Sequence, residues 1–152
     1  MMSFSVERLQ SGEIARFRAM NALFAAVFED PDSYATAPPS DAYVEALLRN
    51  DTVFPLVAIE QGEIVGALVA YELVKFEQAR SEIYIYDLAV AETHRRRGVA
   101  TALIKRLREI AAERGAWVLY VQADYGDEPA IALYTKLGRR EDVMHFDIDP
   151  AK

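Results

Sequence analysis

Cysteine is absent from the 152 residues, tryptophan occurs once and histidine twice. The first absence excludes disulfides, thiolate metal sites and a cysteine nucleophile. The two histidines, His94 and His145, are far apart, so metal binding has no support. No apolar run approaches the length that spans a bilayer. The opening residues, Met1 to Arg8, lack a basic stretch followed by an apolar one, so no secretion signal is expected and the expected location is cytoplasmic. Positive charge is in deficit, with 17 Lys and Arg against 24 Asp and Glu and a net charge of -7, which speaks against nucleic acid as the main partner.

What remains is a chain of ordinary globular composition, 52% hydrophobic and 27% charged. Its length suits a single domain over residues 1–152, with no internal repeat or linker. Phe4 to Leu9 alternates as a short strand. Ile14, Phe17, Asn21, Phe24 and Phe28 recur at helical spacing up to Pro31. Asp30 to Pro39 reads as a loop, and Ser40 caps a second helix through Leu48. Val53 to Glu60 and Glu63 to Val74 form a hairpin about Gln61-Gly62. Glu82 to Val90, apolar on both faces, reads as a central strand. A helix from Val99 ends at Arg114-Gly115, a strand covers Ala116 to Ala123, and a helix from Pro129 closes at Gly138. Val143 to Ile148 alternates as a last strand. The order β-α-α-β-β-β-α-β-α-β predicts an α+β or α/β fold, a mixed β-sheet with helices on both faces.

Charge is unevenly spread. Residues 92–114 hold seven Lys/Arg and three Glu, whereas residues 123–149 hold seven Asp/Glu and three Lys/Arg. A basic segment beside an acidic one suits an anionic ligand meeting a cationic one, although random clustering on a solvated surface gives the same pattern. In the basic segment, the strand end Tyr86-Asp87-Leu88-Ala89-Val90 leads through His94-Arg95-Arg96-Arg97-Gly98 into a helix. The first amides of a helix lack internal partners and carry partial positive charge, and glycine lets a phosphate approach them. Pyrophosphate is the natural ligand; a solvated arginine turn and a nucleic-acid patch are the competing readings.

Two elements carry a resemblance. Arg95-x-x-Gly98-x-Ala100 after Leu88-Ala89-Val90 resembles the acetyl-CoA signature of the GNAT acetyltransferases, and Ala130-Ile131-Ala132-Leu133-Tyr134 through Gly138 resembles that family's second element, with Arg139 where an aromatic is usual. The stretches Ala37 to Tyr43, Leu68 to Leu73, Glu82 to Val90 and Tyr120 to Pro129 are similar to the type I aminoglycoside 3-N-acetyltransferases. The resemblance implies an acetyl-CoA-dependent N-acetyltransferase acting at the 3-amino group of an aminoglycoside and conferring resistance. Its expected partners are coenzyme A and a small cationic aminoglycoside, with a homodimer left open. It further implies that Leu88, Ala89 and Val90 bond the pantetheine and that residues Arg95, Arg96, Arg97, Gly98, Val99, Ala100 and Thr101 cradle the pyrophosphate. Tyr134 is implied to face the thioester sulfur.

The chemistry agrees with that reading. A neutral amine attacks the thioester and the leaving thiolate is best protonated as it departs, a role that suits Tyr134. Without cysteine, direct attack in a ternary complex is the simpler route. Asp87, the charged residue inside an apolar strand, must have a partner: a helix amide, a cationic side chain or substrate. It is the first candidate for the base. Glu72, Tyr86, Asp124, Tyr125, Asp127 and Glu128 are candidates for a cationic acceptor, although Asp127 or Glu128 may equally cap the helix at Pro129. A polyamine or other small amine as acceptor, or a catalytically silent acyl-CoA-binding module, are the alternatives.

Overall fold

Alternating apolar residues bring the first half of the chain into a sheet. The computed structural model describes residues 3–151, which fall into two units, one ending at Gln122 and the other beginning at Ala123. The first holds strands β1 (Ser5–Arg8), β2 (Val53–Glu60), β3 (Glu63–Val74), β4 (Ser81–Val90) and β5 (Ala116–Val121). Its helices are α1 (Ile14–Val27), α2 (Pro31–Tyr34), α3 (Asp41–Arg49) and α4 (Val99–Arg114). The strands pair in sequence order, antiparallel throughout except for the parallel pair β4–β5. Gln61 and Gly62 both take positive φ, 50° and 79°, as a two-residue hairpin turn whose twist matches its strands requires.

Helices cover both faces. On one, Val57, Ile59, Ala67 and Ala89 pack with Phe17, Met20 and Phe24 of α1 and with Val44 and Leu48 of α3. On the other, α4 buries Val99, Leu103, Leu107 and Ile110 at helical spacing, and Val99 and Leu103 lie against Gly66 of β3. Each such side chain contributes about 1.5–3 kcal/mol by leaving water. Ser40 caps α3 as expected, accepting from the Tyr43 amide at 3.2 Å.

Three expectations are corrected. The segment read as a loop contains α2, because Pro31 stops one helix but is well placed to open the next, and Asp30 caps it by accepting from the Ser33 amide at 3.1 Å. Strand β4 is not apolar on both faces: Ile83 and Ile85 are buried while Tyr86 is 59% exposed. Residues Val143 to Ile148 form no strand. Their alternation has the right period, but a strand needs a ladder partner, and among the described residues there is none; Met144, Phe146 and Ile148 stand exposed.

The second unit contains α5 (Glu128–Leu137), opened by Asp127 and Pro129 and closed where the Gly138 amide bonds the Tyr134 carbonyl at 2.9 Å. The observed order therefore ends on this helix. No described helix is long and apolar enough to cross a membrane.

Candidate active site

A phase shift in β4 organises the first unit's site. Val69 of β3 pairs with Asp87 and Ala70 pairs with Ile85, so Tyr86 is an extra residue, a β-bulge. Simple alternation would put Asp87 beside Ile83 and Ile85 on the α4 face. The bulge turns it to the α1 face instead, where its Oδ2 accepts from the Tyr34 hydroxyl at 2.7 Å. The Tyr34 ring packs on Phe24 and Phe28, with centroids 5.6 and 5.7 Å away, which fixes the hydroxyl. Asp87 Oδ1 has no hydrogen-bond partner among the described residues. Burial pushes the Asp87 carboxyl above its ordinary range, and the bond from Tyr34 opposes that rise in part. Burial first, then the bond to Asp87, also raises the Tyr34 phenol.

Beside Asp87 lies a run of tyrosines. Tyr86 meets Tyr71 and Tyr84 edge to face at 5.9 and 5.6 Å, and Tyr84 stacks on Tyr120 at 4.7 Å. Pairing between β4 and β5 stops at Ile85–Val121, whereas pairing with β3 runs on to Val90–Gly66. Among the described residues, Leu88, Ala89 and Val90 therefore have a strand neighbour on one side alone.

The turn after β4 ends in backbone that few residues adopt: Arg96 has φ 63° and Gly98 φ 80°. Gly98 opens α4 without any side-chain cap, and the first intrahelical bond is from the Ala102 amide to the Gly98 carbonyl at 3.0 Å. The amides of Val99, Ala100 and Thr101 are thus left as donors. Space beside Gly98 is open, with nothing within 4 Å of where a Cβ would stand. Arg95, Arg96 and Arg97 are exposed around it. Glu60, at the end of β2, steadies this turn through His94 Nε2 at 2.8 Å and Arg97 at 3.8 Å. A cavity of about 380 Å³ adjoins it, lined by Leu23, Val27 and Glu29 on one side and Ala91, Glu92 and Arg95 on the other. Uncapped amides, three cations and open space suit a diphosphate.

The model of the acetyltransferase (GNAT) family matches residues 18–138. This chain belongs to the GNAT acetyltransferase family. Acetyl-CoA is accordingly its acyl donor, and the turn at Gly98 has the chemistry to hold that donor's diphosphate. Among curated relatives, an uncharacterized N-acetyltransferase, YhfO, of Bacillus subtilis is 28% identical over 116 residues, covering 74% of this chain and 78% of its own. An N-alpha-acetyltransferase of Sulfurisphaera tokodaii is 30% identical over 118 residues, covering 73% and 68%. Among solved structures, the aminoglycoside acetyltransferase HMB0005 from an uncultured soil metagenomic sample is 55% identical, with a TM-score of 0.96 and 99% and 100% of the two chains covered. A second soil metagenomic aminoglycoside acetyltransferase, meta-AAC0020, solved with sisomicin, is 30% identical with a TM-score of 0.90, covering 97% and 96%.

The assignment of Glu72 to the acceptor of this acetyltransferase is corrected. Its carboxylate accepts from Arg114 Nε and Nη2 at 2.9 and 2.6 Å and from Ser81 Oγ at 2.7 Å. It pairs across the sheet with Ile83, on the face opposite Asp87. Burial alone would raise its pKa; the bonds from Arg114 and Ser81 outweigh that and hold it below the ordinary value.

In the second unit, Tyr134 is half-buried, and its hydroxyl has no hydrogen-bond partner among the described residues. Burial, and then the charge of Asp127, push its pKa up to about 12. Asp127 caps α5, accepting from the Ala130 amide at 3.4 Å, and Glu128 follows in the first turn. Tyr125 donates to Asp142 at 3.1 Å beneath the Arg140 guanidinium, and Asp124 is exposed. The structure thus gathers Tyr86, Asp87, the β4 edge and the arginine turn in one unit. Tyr134, Asp124, Tyr125, Asp127 and Glu128 belong to the other. Tyr34 went unnoticed in the sequence: it lies 53 positions from Asp87, and no local pattern joins the two.

Proposed function

We propose that this acetyltransferase moves the acetyl group of acetyl-CoA to the 3-amino group of an aminoglycoside antibiotic, by direct attack in a ternary complex, and so confers resistance. The observation that carries this reading is the 55% identity, over 99% of the chain, with an aminoglycoside acetyltransferase. The chemistry of the first unit supports it: a half-buried carboxylate with one free oxygen, beside exposed tyrosine faces, suits an ammonium-bearing sugar. The family match runs through the division at Gln122, which supports treating residues 1–152 as one catalytic domain. A cytoplasmic location and a homodimer belong to the same reading.

In this scheme the Gly98 turn and the amides of Val99 to Thr101 hold the pyrophosphate, with Arg95, Arg96 and Arg97 adding charge. The free side of Leu88 to Val90 bonds the pantetheine amides. The acceptor's neutral amine forms a C–N bond to the thioester carbon, the C–S bond breaks, and the proton lost by nitrogen passes to Asp87. Tyr134 donates to the departing sulfur. A phenol at about 12 stays protonated at neutral pH, so it stabilises a thiolate by hydrogen bonding before it yields a proton. Tyr86, Asp124, Tyr125, Asp127 and Glu128 contact the acceptor. Release of free coenzyme A over sisomicin, gentamicin, kanamycin, spermidine and a lysine peptide tests the reading, with NMR of the product to place the acetyl group. Faster turnover of spermidine or the peptide than of every aminoglycoside would overturn it.

A further inference from the structure

We propose that Gly66 is a positioning residue for acetyl-CoA: its missing side chain lets Val99 sink against the sheet and so sets the height at which the first amides of α4 are presented. The inference rests on the pyrophosphate reading of the Gly98 turn. Gly66 sits in ordinary strand backbone, pairing with Ala58 on one side and Val90 on the other, and has no positive φ that would call for glycine. The requirement is space. A Cβ at this position would lie 2.5 Å from Val99 Cγ1, 3.4 Å from Leu103 Cδ1 and 3.5 Å from Ala58 Cβ. The last two distances are tolerable and the first is not. Two and four residues on, the same face of β3 carries Leu68 and Ala70, both fully buried. Side chains therefore fit between sheet and helix further along α4, and the gap closes at the helix's first residue.

Val99 is 2% exposed and directly follows Gly98, so its side chain anchors the donor end of the helix. Restoring ordinary carbon–carbon contact with a methyl group at position 66 requires Val99 to move by roughly 1 Å. Hydrogen bonds from three neighbouring amides to one diphosphate do not survive such a shift intact, because their distances and angles change together. Gly66 also opposes Val90, the last residue of β4. One small residue thus underlies both the end of the β4 edge and the start of α4.

Calorimetry with coenzyme A, and turnover with acetyl-pantetheine as a donor lacking the pyrophosphate, test the proposal. Gly66→Ala is expected to weaken coenzyme A by about tenfold while leaving kcat/KM for acetyl-pantetheine within about twofold. Made in a Val99→Ala background, the same change is expected to leave coenzyme A affinity unaltered, since the clashing methyl is gone. Native affinity in Gly66→Ala overturns the proposal. So does an equal loss for both donors, or an equal loss in both backgrounds. Should Gly66→Ala fail to fold, the double variant decides: folded, with the affinity of Val99→Ala, it supports the proposal, and unfolded it refutes it. Gly98→Asp separates this from the underlying reading. Unchanged coenzyme A affinity there removes the pyrophosphate assignment itself, whereas a loss there beside native Gly66→Ala removes Gly66 alone.

Discussion

Tyr34→Phe should move the pH dependence of the reaction without moving its plateau. The substitution keeps the ring that packs on Phe24 and Phe28 and deletes the hydroxyl that donates to Asp87 Oδ2 at 2.7 Å. That bond favours the ionised carboxylate and opposes the rise that burial causes. A hydrogen bond to a charged group contributes about 1.5–3 kcal/mol, and 1.36 kcal/mol corresponds to about one pKa unit. The site is only half-buried, so water replaces part of the loss, and the lower end, a rise of about one unit in the Asp87 pKa, is expected. With Asp87 as the base, the acidic limb of kcat/KM for the acceptor shifts to higher pH by that amount at saturating acetyl-CoA. At pH values well above the limb the two enzymes run at the same rate. Asp87→Asn is the control. Its amide oxygen still accepts from Tyr34, so folding is kept, while the limb due to Asp87 disappears. A Tyr34→Phe profile that superimposes on the native one, or a limb that survives in Asp87→Asn, refutes the assignment of Asp87 as base.

Gly98→Asp places a charge in the open space before α4, and coenzyme A affinity measured by calorimetry should fall by at least ~1–3 kcal/mol; Gly98→Asn, which tolerates positive φ without the charge, should fall less. Tyr134→Phe should lower single-turnover rates by ~10²-fold with the KM for acetyl-CoA unchanged, and chemistry at native speed in that variant would remove Tyr134 from the mechanism. Glu72→Gln should leave catalytic constants nearly native but cost about 1–3 kcal/mol of stability at neutral pH, read as a drop of several degrees in Tm. The sign follows from linkage: Glu72 is held below its ordinary value of 4.5, so its contribution is full above that pH and fades as pH falls through the folded value. Equal melting curves for Glu72→Gln and native at pH 7 would show that the Arg114 pair contributes nothing.

Local rules were enough wherever a signal and its consequence lie within a few residues. The bounds of β2 and β3 follow from one turn at Gln61-Gly62, and the start and stop of α4 from Gly98 and Gly115. The arginine turn was legible for the same reason, since strand, turn and helix are contiguous. Glu72 was not, because the feature that commits it is Arg114, 42 positions away. The need for a partner at Asp87 could be argued from the cost of a buried carboxylate, but the partner is a phenol from a short helix that proline both ends and begins. Val143 to Ile148 shows the converse failure: its pattern is correct for a strand, and a pattern cannot supply a neighbour.

The bulge at Tyr86 is the feature that sequence alone could least disclose, because it exists only in the register between two strands. Yet the rest of the first unit's site depends on it. A residue inserted into one strand of a pair reverses the facing of everything beyond it and bends the strand. Both consequences are visible. Facing changes so that Asp87 lies with Tyr34 on the α1 side, while Ile83 and Ile85, before the insertion, remain on the α4 side. The insertion also comes immediately after Ile85, the last residue of β4 that pairs with β5. An unbroken strand would have carried Asp87 to the α4 face and could have continued its ladder with β5, leaving neither a carboxylate beside the tyrosines nor a free edge at Leu88 to Val90. A single irregularity therefore supplies the candidate base and the backbone groups for pantetheine together, and puts them within a few residues of the turn that opens α4.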